Sequence, residues 1–152
     1  MRRTVGLLAA LLVGMGSALA ATSPASAATP SLRFHSAQYD SPGSDTGSNT
    51  SRNAEWVSLV NTGSRAVNLS GYTIRDRAGK TYKFGSVSIA GKGGRLWLHT
   101  GSGGNTGTHR YWGSGNYIWN NTGDTAYLRN SRGAAVDSCA WSNKKGRTLV
   151  AC

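Results

Sequence analysis

An all-β fold, a sandwich or a barrel, is what this sequence predicts, and three observations carry the prediction. No segment keeps a helical period of apolar residues. Short alternating stretches recur at regular spacing, separated by turns rich in Gly, Asn and Ser. The clearest of them runs from Trp119 to Arg129. Its Asn120-Asn121-Thr122-Gly123-Asp124 portion is dense in residues that bond their own backbone or tolerate positive φ. Thr125, Tyr127 and Arg129 then alternate with Ala126 and Leu128, the period of a strand with one wet face. A second turn-then-strand stretch, Asn61 to Ser64 followed by Ala66 to Leu69, supports antiparallel pairing.

Taken in order, residues 28–31 form a tail, and the domain is expected over 32–152. Leu32 to Tyr39 reads as a first strand, with Leu32 and Phe34 on one face. Asp40 to Asn53 reads as a polar loop too long for a plain hairpin. Glu55 to Val60 is a second strand with Val57 and Leu59 toward the core, and Ala66 to Leu69 is a short third. Tyr72 to Asp76 and Lys80 to Phe84 form a hairpin across Ala78-Gly79. Val87 to Ile89 is short, and Arg95 to His99 follows the flexible Gly91 to Gly94. Thr100 to Gly115 reads as a second long, glycine-rich loop. After the Trp119–Arg129 stretch, Ala135 to Trp141 is the last core strand, and Lys144-Lys145-Gly146-Arg147 is a basic turn.

The N-terminus carries a different signal. Arg2 and Arg3 precede an acid-free apolar run from Val5 to Leu19, and Ala25-Ser26-Ala27 fits a small-x-small cleavage site. Residues 1–27 are therefore expected to be a secretory signal peptide, with Ala18-Leu19-Ala20 as a second possible cleavage site. The run is short for a bilayer span of about 20 residues, so no membrane span is expected in the mature chain. The sequence has 17 basic and 6 acidic side chains, a net charge of +11; losing Arg2 and Arg3 leaves 15 against 6, or +9. Outside the cell such a protein meets anionic polymers, nucleic acid and wall polymers among them, although charge alone also serves solubility. Cys139 and Cys152 are expected to pair as a disulfide in an exported chain.

The order of motifs resembles the lamin tail domain family. Glu55-Trp56-Val57-Ser58-Leu59-Val60-Asn61-Thr62-Gly63 is similar to the family's first strand and turn, and Val67 to Asp76 to its "V-x-L-S-G-aromatic" block. Leu98 to Gly103 with Tyr111-Trp112-Gly113 resembles a variant found in prokaryotic members. Trp119 to Leu128 with Gly133 to Asp137 resembles the closing "W-N-N-x-G-D" and "G-x-x-V-D" pair. The resemblance spans roughly Leu32 to Trp141 and implies an immunoglobulin-like β-sandwich without enzymatic activity or cofactor of its own. Hairpin tips that carry acids in the family are basic here, at Arg75 to Lys80 and Arg129 to Gly133, which favours an anionic partner.

Four constellations bear on chemistry. The basic set is Arg75, Arg77, Lys80 and Lys83 on one hairpin, Arg129 and Arg132 on another, and Lys144, Lys145 and Arg147 near the end. Cations of this kind neutralise phosphates, and interleaved Tyr and Trp rings stack on bases where they are exposed. Trp97 and Trp119 are expected in the core. Asp40, Asp45 and Glu55 are a weak oxygen-ligand set for Ca²⁺, lacking EF-hand spacing, and read more simply as turn caps and a strand-end carboxylate. His35, His99 and His109 are the only histidines; no hydrolase motif surrounds them, and His99 is expected to cap its loop by hydrogen bonding. The Gly101 to Gly107 run lacks the Gly-Lys-Ser/Thr ending and following helix of a phosphate cradle.

These readings converge on a secreted, monomeric, non-catalytic binding or scaffolding module, with DNA or an anionic wall polymer as the leading partner. Two alternatives belong to other classes. One is a small secreted hydrolase using His99 or His109 with a nearby acid. The other is a module that binds another secreted protein through its sheet edges.

Overall fold

The computed structural model describes residues 28–152. The expected signal peptide, residues 1–27, lies outside the described residues. The chain runs through β1 (Leu32–Gln38), α1 (Asn49–Ala54), β2 (Trp56–Asn61), β3 (Val67–Asn68), β4 (Thr73–Arg75) and β5 (Thr81–Lys83). It continues through β6 (Ser88–Ile89), β7 (Gly94–His99), β8 (His109–Tyr111), β9 (Gly123–Arg129), β10 (Ala135–Ser142) and β11 (Leu149–Ala151). One sheet has five strands in the order β11-β1-β2-β7-β8, the other four in the order β10-β9-β4-β5, and β3 with β6 forms a small ribbon. The architecture is an all-β sandwich.

Alternation in the strands builds the core between the sheets. The five-stranded sheet sends in Phe34, Ala37, Val57, Leu59, Leu96 and Leu98; the four-stranded sheet answers with Ile74, Ala126, Leu128, Cys139 and Trp141, all buried. Tyr39 stacks on Trp141 at 5.1 Å, and Trp119 meets the same ring edge-on at 5.7 Å. Such aromatic pairs add roughly 1 kcal/mol each beyond their burial. Gly123 opens β9 at φ 141°, a conformation that side chains avoid, so the Asn120–Asp124 turn needs glycine there.

Four sequence expectations are corrected. The Asp40–Asn53 segment is not all loop, because its last residues form α1. That helix buries none of its residues, so it has no apolar stripe to read. It is held instead by hydrogen bonds: Ser48 Oγ accepts from Ser51 N at 3.1 Å, and Asn49 and Asn53 Nδ2 both donate to the Ser102 carbonyl at 2.9 Å. The Thr100–Gly115 loop contains β8, which pairs with β7 in parallel, whereas every other pairing is antiparallel. Trp97 is half-buried on the outer face of the five-stranded sheet rather than in the core; Trp119 is in the core as expected. The residues after the basic turn form β11, which pairs with β1.

Cys139 and Cys152 are disulfide-bonded, with Cα atoms 5.5 Å apart. Cys139 lies on β10 and Cys152 just follows β11, so the bond joins the two sheets. Among the described residues, no helix is long and apolar enough to cross a membrane.

Candidate anion-binding faces

Strand registers decide which predicted cations meet. On the four-stranded sheet, Lys83, Thr73, Arg129 and Ala135 form one cross-strand row, and Thr81, Arg75, Tyr127 and Ser138 form the next. Ile74, Ala126 and Leu128 point to the core between them, so these rows face outward. The structure thereby gathers Arg75, Lys83 and Arg129, all exposed, around the half-buried Tyr127 ring. A groove of about 250 Å³ lies beside Tyr127 and Arg129, where the β9–β10 register shifts between Ala135 and Asp137.

The other six cations lie at the ends of the sandwich. Arg77 Nη2 donates to the Gly123 carbonyl at 2.6 Å, and Lys80 Nζ reaches the Tyr117 carbonyl at 3.4 Å. Together with Asp76, Tyr117 and Asn120 they border a cleft of about 550 Å³. Ser142 faces Gly123 in the register, so the Lys144, Lys145 and Arg147 turn sits at this same end. Arg147 is partly spent on the Ser142 carbonyl at 3.1 Å. Arg132 is in the β9–β10 turn, at the opposite end. The three basic segments therefore do not form one patch: two share an end, and the third contributes Arg129 to the sheet face.

Asp76 and Asp124 line the same cleft as Arg77 and Lys80, and Asp137 the groove beside Arg129, but their carboxylates are committed to backbone donors. Asp76 is buried and accepts from Lys80 N at 2.7 Å; Asp124 is buried and accepts from Arg77 N and Asn120 N. Asp137 accepts from Phe34 N at 2.7 Å, stitching the sheets together. Glu55 is fully buried, and its Oε1 accepts from Thr100 Oγ1 at 2.6 Å, Ile118 N at 2.9 Å and Trp119 N at 3.3 Å. Glu55 Oε2 is buried with no partner. Burial pushes its carboxyl up to about 7, against the lowering pull of those three donors. Asp40 and Asp45 do meet, bridged by Asn121 Nδ2 at 3.0 and 3.3 Å. Burial first, then the Asp45 charge, raises Asp40. Glu55 does not join them as a ligand group, and among the described residues no three His, Cys, Asp or Glu gather around a common point.

The outer face of the five-stranded sheet carries a set that sequence reasoning missed as a unit. Trp97 and His99 of β7 pair with His109 and Tyr111 of β8. Trp97 stacks on His109 at 5.3 Å, and His99 on Tyr111 at 5.0 Å. His99 Nδ1 bonds the Asn53 carbonyl at 2.8 Å, and His99 Nε2 meets His109 Nδ1 at 2.9 Å. His99 does hydrogen-bond, but to α1 and β8 rather than as a cap on the glycine-rich run, and neither of its ring nitrogens reaches a carboxylate. The alternation in His109-Arg110-Tyr111 was the available signal, but three residues after a glycine-rich run are too few to read as a strand.

Outside the Asp40–Asp45 corner, the acids of this sandwich are bonded to backbone donors, while its cations lie on the surface. The Lamin Tail Domain family model matches residues 25–143, and the chain belongs to that family, whose members are non-catalytic immunoglobulin-like β-sandwiches. A search of curated proteins finds no match. The resembling motifs are structural in this chain: Glu55 ties the first block to Ile118 and Trp119 of the last, and Asn61 Nδ2 holds the Arg65 and Ile89 carbonyls. β11 and Cys152 lie beyond the matched residues.

Proposed function

We propose that this chain is an exported, non-catalytic module that holds an anionic polymer, extracellular DNA first, on the outer face of its four-stranded sheet. The observation that carries the reading is the convergence of Arg75, Lys83 and Arg129 around Tyr127 on a face whose nearby acids are buried or bonded to backbone. Neutralising phosphates there releases condensed counterions, which sets both affinity and its salt dependence. Arg77, Lys80, Lys144 and Lys145 extend the field past one end of the sheet, and Arg132 past the other. The Cys139–Cys152 disulfide and the leader-like N-terminus support a place outside the cell.

Fluorescence polarisation with a labelled DNA oligonucleotide across 25–300 mM salt tests the reading. Salt-dependent binding is expected. The Arg75→Ala/Lys83→Ala/Arg129→Ala variant is expected to lose about two to three units of slope in log K against log salt, at roughly 0.7–0.9 per phosphate contact. Binding without salt dependence, or none at the lowest salt, overturns it.

A further inference from the structure

The two sheets turn their outer faces in opposite directions, and the second face is also basic. Its outward side chains include Arg33 and His35 at the β1 bulge, Arg95 and His99 on β7 and His109 on β8, with no Asp or Glu among them. Arg33 and Arg95 share one cross-strand row through Val60, with His35 two residues along β1, and burial, then Arg95, then Arg33 lower His35.

The His99–His109 contact is unusual. Their ring centroids are 5.2 Å apart and their planes within 20°, with 2.9 Å between the bonded nitrogens. That centroid separation is no more than the hydrogen bond plus the two ring half-widths. The rings therefore lie end to end in nearly one plane, not face on face. The Asn53 carbonyl accepts only a proton, so His99 Nδ1 carries one. His99 Nε2 is then the acceptor, His109 Nδ1 the donor, and His109 Nε2 a lone pair with no hydrogen bond to a described residue. A proton added at His109 Nε2 breaks nothing. A proton added to His99 breaks its bond to His109. Burial holds His99 below the ordinary imidazole range, the Asn53 carbonyl opposes this, and a His109 charge adds to the lowering. The one ring nitrogen of the pair left without a bond is therefore His109 Nε2, at its outer end.

The surroundings do not cancel that charge. Arg95 flanks the pair on β7, and Arg33 and His35 lie across on β1. Arg110, on the other side of β8, is bonded to the Thr106 and Ser86 carbonyls, and Arg52 of α1 to the Gly47 carbonyl. Glu55 lies beneath, bonded to Thr100, and gains its own proton over the same range. Tyr111 stacks on His99, Trp97 on His109, and Gly103 backs the Tyr111 ring. Both faces of Tyr111 and one face of Trp97 are thus taken up within the protein, and what the charged side chains of this face offer is charge and N–H donors.

We propose that the outer face of the five-stranded sheet is a second phosphate-binding face, strengthened by acid, where Arg33, His35, Arg95 and the singly protonated His99–His109 pair hold a nucleic-acid backbone without reading its bases. The polymer rests on the reading above; the residues are different.

The test uses the disulfide-bonded mature chain carrying Arg75→Ala/Lys83→Ala/Arg129→Ala, which silences the first face. Binding of a labelled oligothymidylate and of an abasic strand of equal length is measured at pH 8.0 and 5.5 at fixed salt. The expected result is a gain of about ten-fold or more at pH 5.5 for both strands, kept in Glu55→Gln and lost in His109→Gln. If the first reading fails at pH 8.0, the acid-dependent gain is still read independently. Imidazole ¹⁵N shifts provide a check that needs no variant: His109 Nε2 is expected to change to the protonated type while His99 Nε2 keeps its lone pair. A gain that survives His109→Gln, a requirement for bases, no gain at all, or protonation of both histidines in this window overturns the proposal.

Discussion

Glu55 sits where an acid is least comfortable, fully buried with one oxygen unpartnered, and the fold depends on its other oxygen. Its carboxyl rises from 4.5 to about 7, so the folded state resists ionisation. The sign follows from linkage: the contribution to stability is fully present below pH 4.5, shrinks as pH rises toward 7, and is lost above it. The whole swing is about 3 kcal/mol. Glu55→Gln keeps an acceptor for Thr100, Ile118 and Trp119 but removes the charge. Its stability relative to the parent is expected to improve by that amount between pH 4.5 and 8, read from denaturant midpoints across pH; a flat difference refutes the account. Taking the difference matters, because His35 and His99, both lowered, tilt the parent's own curve the other way.

Among the elements, β8 is the one that makes a face out of an edge. The Thr100–Thr108 crossover must pass close over β8 to bring it parallel to β7, and it does so at Gly103, where a Cβ would run into the Tyr111 ring. Gly103→Ala is expected to cost about 1–3 kcal/mol by overpacking. Amide exchange should quicken on β8 while β1, β2 and β9 stay protected. Uniform exchange across the sheet, or an unchanged midpoint, counts against this role for the glycine. The legibility of each element tracks where its stability comes from. β2, β7 and β9 were readable because their alternation is a burial pattern local to the strand. α1 and β8 were not, because α1 stands on side-chain bonds to Ser102 and Tyr117, and β8 on pairing with a strand already read. The same division holds for the faces. The Arg75 and Lys83 hairpin was visible, and Arg129 was seen on a separate hairpin. Only the β4–β9 register puts them together, and registers are not written in spacing. His99 and His109 were noted singly for the same reason.

For the whole molecule, the governing feature is that two opposite faces are basic while the acids are held inside or in the Asp40–Asp45 corner. A sandwich of this kind holds its two sheets together mainly by the shared core, assisted by the Asp137–Phe34 bond and the Cys139–Cys152 bridge. The bridge closes a short loop of sequence separation 13, so its loss is expected to cost about 3 kcal/mol. Paired Cys139→Ser and Cys152→Ser replacements should lower the denaturant midpoint accordingly and loosen β11 first. Equal stability of the two forms would place the weight on the core alone.

β11 has a further consequence. It covers the outer edge of β1 over Ser36–Gln38, amides and carbonyls that would otherwise be unpaired, and the bridge tethers its end there. Where thiols stay reduced, β11 is expected to loosen and leave that stretch open to an added strand, one from another molecule of the same kind included. Oxidising surroundings therefore supply more than stability: they keep this flank closed to strand addition.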